Sequence, residues 1–160
     1  MADDEKTVLA IRVRGQVRVR PQIDTTLDNL LLIKLHHARL IKLTPSMTGM
    51  ITKVKDYITW GEPTAELVEQ LLTKRGRLPG NRRLTNDYVK KNSEFKSIKA
   101  FAKALVSGEA MMSDVTDLKP IFRLTPPSKG YRGKTKLSIG MGGETGYRGE
   151  GINDLAIRMI

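Results

Sequence analysis

The sequence predicts a mixed α/β fold of the α+β type: a compact βαβαβ sheet with two helices on one face, followed by a helical and glycine-rich C-terminal extension. Three observations carry this reading. Over the first 62 residues, apolar residues alternate at period two, then recur at spacings of three and four, and the two patterns interchange in the order β-α-β-α-β. Residues 63–160 then bring further helical stripes and the strongly basic stretch Lys74–Lys103. Eight of the fourteen glycines then fall between Gly130 and Gly151. A core domain over 1–62 and an extension over 63–160 follow. A core of roughly 60 residues is marginal alone, so the extension is expected to stabilise it.

Element by element, Thr7, Leu9, Ile11 and Val13 alternate with Val8, Ala10, Arg12 and Arg14, a strand with one core face and a second face that turns basic. The alternation continues loosely through Val17, Arg18, Val19 and Arg20, either a second short strand or an extended basic loop, until Pro21 stops it. Asp24, Thr25 and Thr26 offer caps for a helix bearing Leu27, Leu30, Leu31 and Leu35 and ending near His36 to Ala38. A short strand, Arg39–Leu43, comes next. Thr44 with Pro45 opens a helix with Met47, Met50, Ile51 and Val54 inward. Tyr57 to Trp60 read as the third strand, closed by Gly61 and Pro63.

In the extension, Thr64 caps a helix carrying Leu67, Val68, Leu71 and Leu72, and Gly76, Pro79 and Gly80 break the chain after it. Further helices are predicted at Asn86–Lys91 and Lys96–Val106, the latter ended by Gly108. A helical turn is placed at Val115–Leu118. Ile121–Leu124 suits a short strand, stopped by Pro126 and Pro127. The glycine-rich segment is read as an irregular excursion whose far end is held by a final apolar strand, Leu155–Ile160.

The formal net charge of +11 points to a polyanionic partner. Basic residues interleave with apolar ones along the chain, so the charge coats folded elements. Arg12, Arg14, Arg18 and Arg20 form one acid-free group, and ten basic residues between Lys74 and Lys103 face only Asp87 and Glu94. Arg123 to Lys136 holds five basic residues and no acid. Asp3, Asp4 and Glu5 head the chain, so some surface is expected to face away from the polyanion. No cysteine is present, which removes disulfides, thiolate catalysis and cysteine-bound metal, and fits an intracellular setting. No apolar run approaches the roughly 20 residues that span a membrane, and the acidic start does not suit a secretion signal.

No enzyme signature assembles. Gly140-Met-Gly-Gly-Glu-Thr-Gly146, which follows a candidate strand at Lys136–Ile139, fails the dinucleotide fingerprint because its third glycine would have to fall at Thr145. His36 and His37 diverge as neighbours, and Glu62, Glu66 and Glu69 suit a solvated helix face. No nucleophile, base and orienting partner converge, and neither a cofactor nor a metal is expected. The candidate RNA-binding residues are Arg12, Arg14, Arg18 and Arg20; Lys53 and Lys55, which flank Val54; Arg77, Arg82 and Arg83 around the Pro79-Gly80 turn; and Lys129, Tyr131, Arg132, Lys134 and Arg148. The last group draws Tyr131 and Arg132 from one copy of Gly-Tyr-Arg-Gly, Gly130–Gly133, and Arg148 from the other, Gly146–Gly149. Their arginines suit bidentate phosphate pairing, and Tyr131 and Tyr147 either stack on bases or anchor the loop.

The segment Met47-Thr-Gly-Met-Ile-Thr-Lys-Val-Lys-Asp-Tyr-Ile-Thr-Trp-Gly-Glu62, followed by Phe122-Arg-Leu-Thr-Pro-Pro-Ser-Lys-Gly130, resembles the archaeal form of the large-subunit ribosomal protein thirty family, whose eukaryotic relatives are numbered seven. The resemblance covers nearly the whole chain, and the bacterial form resembles only its first 60 or so residues. It implies a non-enzymatic structural constituent of the cytoplasmic large ribosomal subunit. The implied partners are large-subunit rRNA, including the 5S rRNA neighbourhood, and neighbouring ribosomal proteins, with a role in rRNA maturation. Among the candidate contacts it supports Lys53, Lys55 and Lys129; the others rest on charge and local chemistry.

Overall fold

The computed structural model of the chain describes residues 6–160; Asp3, Asp4 and Glu5 lie outside the described residues. Strand β1 (Thr7–Arg12) is buried along its whole length, at the centre of the sheet. It pairs antiparallel with β2 (His37–Lys42) on one side and with β3 (Ile58–Gly61) on the other. The helices α1 (Pro21–Asn29) and α2 (Pro45–Lys53) connect them, giving the expected βαβαβ unit.

Both faces of β1 are core, which corrects the expectation of a basic second face. Val8 and Ala10 meet Leu27, Leu30, Leu32, Ile51, Val54 and Ile58 beneath α1 and α2. Leu9 and Ile11, with Ala38 and Leu40 of β2, face a larger core built almost wholly by the extension. That core collects Leu67, Val68, Leu71 and Leu72 of α3 (Ala65–Arg75) and Phe101, Ala102 and Leu105 of α5 (Ile98–Ser107). Leu155, Ala156 and Met159 of α6 (Ile152–Met159) complete it.

The caps explain where the helices start. Thr44 and Thr64 each accept the N–H three residues on, from Met47 and Leu67, both at 3.3 Å. Ser97 does the same for Ala100 at 3.2 Å, and Gly108 ends α5 with φ 80°. At α1 the expected caps are not caps. Pro21 occupies the first helical turn, and Thr25 and Thr26 lie inside the helix, their hydroxyls donating to the carbonyls of Pro21 and Gln22. The helix ends at Asn29, because Leu31 takes a left-handed conformation (φ 59°), and Leu35 is left exposed. No second strand forms at Val17–Arg20; the chain there is a loop. At Val115–Leu118 the chain does turn, with Leu118 N–H donating to the Val115 carbonyl at 3.3 Å, but Asp117 takes φ 61° and the turn is not helical; a 3-10 turn precedes it over Met112–Asp114. The short α4 (Asn86–Asn92) is as expected.

The glycine-rich segment departs most from the sequence reading. It is not an excursion but two strands, β5 (Lys134–Ser138), which overlaps the candidate strand at Lys136–Ile139, and the unexpected β6 (Gly143–Tyr147); they pair parallel, β6 also pairing parallel with β3. With β4 (Phe122–Arg123) on the other edge, the described sheet runs β4-β2-β1-β3-β6-β5. A Cβ on Gly61 would overlap the Gly149 carbonyl, so glycine is what lets β3 lie against the end of β6. The C-terminal run is a helix, not a strand: Ile152, Leu155, Ala156 and Met159 bury at helical spacing, a stripe that starts before Leu155.

Candidate nucleic-acid interface

Strand direction gathers the loops. Because β2 and β3 run opposite to β1, both begin where β1 ends; β6 and β5 are parallel to β3 and begin there too, while β4 ends there. One end of the sheet therefore carries the loop after Arg12, the loop before His37, the turn between α2 and β3, and the segment joining β4 to β5. Hydrogen bonds tie these pieces together. Val13 N–H donates to the Tyr57 carbonyl at 2.9 Å, His36 N–H to Arg12 at 3.0 Å, and Leu124 N–H to His36 at 3.2 Å. Thr125 N–H donates to the Met159 carbonyl at 2.9 Å, bringing the C-terminus of α6 to the same place.

Arg18, Arg20, Lys53, Lys55, Lys129, Arg132 and Lys134 are all exposed around this end. Lys53 and Lys55 stand on either side of the buried Val54, as the sequence predicts. Lys129 turns the chain with φ 64°. Arg14 is half-buried, with its guanidinium 4.6 Å over the Tyr57 ring and donating to the Asp56 carbonyl at 3.3 Å. Arg77, Arg82 and Arg83 lie on a separate excursion after α3, closed by Leu78 N–H donating to the Arg82 carbonyl at 2.8 Å and held by Lys119 N–H on the Arg77 carbonyl at 3.0 Å. Arg82 and Arg83 are exposed there. Among the described residues, none of the exposed cations just named has a carboxylate within ion-pair distance.

Four other candidates are spent inside the protein. Arg12 is fully buried, and its guanidinium donates to the carbonyls of Arg14, Leu32 and Ile33 at 2.8 Å and of Gly15 at 3.4 Å. Burial lowers its pKa, partly offset by Asp24 and Asp28. Arg77 turns its guanidinium back to the carbonyls of Lys74 and Gly76, both at 3.1 Å, at the end of α3. Arg148 forms an ion pair with the buried Glu144 and donates to the Thr59 hydroxyl at 3.3 Å. Tyr131 is half-buried, its hydroxyl 3.1 Å from His36 Nδ1 and its ring stacked on the imidazole at 6.1 Å. Burial pushes its phenol up to about 12. Burial also lowers the pKa of His36, which favours its neutral imidazole.

The two Gly-Tyr-Arg-Gly copies are thus used in opposite senses. In the first, Tyr131 faces in and Arg132 out; in the second, Arg148 faces in while the exposed Tyr147 donates to the Glu62 carboxylate at 2.8 Å and 2.9 Å. Glu144 holds both together, since it also accepts from Gly133 N–H at 2.7 Å. Burial pushes the Glu144 carboxyl up, but the Gly133 N–H and the Arg148 guanidinium outweigh it and hold the group below its ordinary value.

Three exposed cations absent from the sequence-based choice belong near this end: Lys34, in the loop before β2, Arg123, which pairs with His37 across the β4–β2 edge, and Lys136 of β5. The signal for two of them was in the sequence, since Arg123 and Lys136 bound its acid-free basic stretch. Lys34 carried no such signal.

The family model for ribosomal protein L30p/L7e matches residues 8–58. Beyond that segment the similarity continues over almost the whole chain. Large ribosomal subunit protein uL30 of Methanobrevibacter smithii is 50% identical over 95% of this chain and 99% of its own length. The uL30 proteins of Methanosphaera stadtmanae and Thermofilum pendens are 47% and 45% identical over 94% and 95% of this chain, each across 97% of its own length. With the βαβαβ unit and its extension aligned from end to end in this way, the chain belongs to the uL30 family of large ribosomal subunit proteins.

Proposed function

We propose that the chain is a non-enzymatic scaffold of the large ribosomal subunit that binds rRNA through the basic end of its sheet. The observation that carries this is the convergence there of exposed cations without carboxylate partners, drawn from both halves of the chain: Arg18 and Arg20, Lys53 and Lys55, then Lys129, Arg132 and Lys134. A sheet whose central strand β1 is buried on both faces is a stiff support, so these charges are held at fixed separations before RNA arrives. Phosphates that meet them release counterions, and the affinity falls steeply with salt. Arg82 and Arg83, on their own turn, suit a second RNA segment, and a protein that grips two segments fixes their mutual orientation. The 5S rRNA neighbourhood, contact with adjacent ribosomal proteins, and a contribution to maturation of large-subunit rRNA belong to the same proposal, through the family.

Crosslinking of the chain in assembled large subunits, with sequencing of the attached RNA, tests it. Crosslinks are expected at the Lys53–Lys55 turn and around Arg132 and Lys134. Crosslinks confined to the opposite end of the sheet would refute the placement. Recovery of 5S rRNA among the attached sequences tests the neighbourhood, and accumulation of precursor rRNA on depletion tests the maturation role.

A further inference from the structure

The two loops that flank the buried Arg12 guanidinium carry a feature that phosphate binding does not use. Val17, Ile33 and Leu35 are 87%, 38% and 43% exposed. Singly, exposed aliphatics are ordinary. These three stand on loops 13–20 and 31–36, which are fastened side by side: Arg12 bonds carbonyls of both, and the Gln16 side-chain amide donates to the Ile33 carbonyl at 2.8 Å. Each loop turns through a left-handed non-glycine residue, Arg18 (φ 57°) in one, Leu31 (φ 59°) and His36 (φ 64°) in the other. Such conformations are held only where the surroundings over-determine them.

We infer that these two loops form a preformed platform for unstacked rRNA nucleotides, with base faces lying on Val17, Ile33 and Leu35, flanking phosphates on Arg14, Arg18, Arg20 and Lys34, and Arg12 as the residue that positions both loops. The inference rests on the rRNA-binding reading above and adds to it which part of RNA is met. A regular duplex shows this surface phosphates and ribose, which gain nothing from aliphatic side chains. Irregular single-stranded RNA shows base faces between phosphates, matching apolar tips interleaved with cations. Among the described residues no carboxylate pairs with those four cations, which sets the partner's charge as negative. Arg12 adds to this, because its guanidinium is met by carbonyls and not by a carboxylate: Asp24 and Asp28 act on it only through space. Its positive charge stays in place beneath the platform.

The test uses the full chain binding an in vitro transcript of archaeal large-subunit rRNA, with affinity measured over a series of salt concentrations. For the pair Val17→Ser and Leu35→Ser, affinity is expected to fall about fivefold or more through lost apolar burial against the base faces, at an unchanged salt slope because no phosphate contact is lost. For Arg18→Gln with Arg20→Gln, the slope is expected to fall by about 1 per arginine. Arg12→Gln should weaken binding at unchanged slope, and adding the two serines to it should cost less than their separate effect, since the platform they act on is already displaced. Wild-type affinity for the apolar pair, alongside a reduced slope for the arginine pair, would overturn the platform and leave rRNA binding standing. A wild-type affinity indifferent to salt would overturn both. If Arg12→Gln does not fold, the apolar pair alone decides, since its side chains are exposed.

Discussion

Replacing Glu144 by alanine removes the link between the two Gly-Tyr-Arg-Gly copies, and the structure sets what this costs. Glu144 is buried, while the side chain of its partner Arg148 is 17% exposed. Loss of the carboxylate leaves the part-buried Gly133 N–H without its acceptor, a penalty of about 1–2 kcal/mol. Arg148 keeps the Thr59 hydroxyl and the Glu144 carbonyl, and some water reaches it. Its share is therefore below the 3–5 kcal/mol of a fully buried broken pair, at about 1–2 kcal/mol. The sum is about 3 kcal/mol, which lowers the melting temperature of a chain of this size by roughly 6–12 °C. Glu144→Gln retains an acceptor for Gly133 and is expected to lose less. The pH dependence gives a second reading. The folded carboxyl lies below its ordinary value, so its stabilisation is fully present above the unfolded value of about 4.3 and disappears as pH falls from there through the folded one. Thermal unfolding followed by circular dichroism, from neutral pH down into that window, measures both. A melting temperature for Glu144→Ala within about 2 °C of the parent at neutral pH would refute the clasp.

Three further outcomes follow from the same geometry. Lys53→Gln with Lys55→Gln should lower the salt slope of rRNA binding by about 1 per residue while leaving the melting temperature unchanged, because both side chains are exposed; a stability loss instead would show that they hold the fold. Gly61→Ala drives a methyl group into the Gly149 carbonyl and should cost about 1–3 kcal/mol, read as a lower denaturant midpoint at unchanged m-value. A fragment of residues 1–62 should lack a cooperative unfolding transition. Leu9, Ile11 and Leu40 lose the α3, α5 and α6 cover, about 1.5–3 kcal/mol each, which together matches or exceeds the roughly 3–5 kcal/mol a core of this size supplies; a sharp transition would show an independent domain.

Much of the candidate surface was legible because its charges are local facts. Lys53 and Lys55 flank Val54, whose burial follows from helical spacing, so their exposure follows too. Arg12 was not legible. At the end of a strand its alternation assigns it to the face that turns basic, and only the return of the chain at Leu32 and Ile33 brings carbonyls that draw the guanidinium inward. The same limit applies to the repeated Gly-Tyr-Arg-Gly. Identical tetrapeptides have identical local preferences, yet Glu144 lies within reach of Arg148 and His36 within reach of Tyr131, so each copy turns a different residue inward.

The sequence by itself determined the βαβαβ order, the caps at Thr44 and Thr64, the excess of positive charge and the family, since periodicity, capping and composition act over a few residues at a time. Tertiary structure decided what the glycine-rich segment is. Glycine spacing favours neither strand nor loop, and Gly143–Tyr147 becomes a strand because β3 offers an unpaired edge that satisfies its backbone. Tertiary structure also decided that loops far apart in sequence meet at one end of the sheet. Strand direction, a property of pairing and not of any single strand, brings Lys134 to the same end as Arg18 and Lys53.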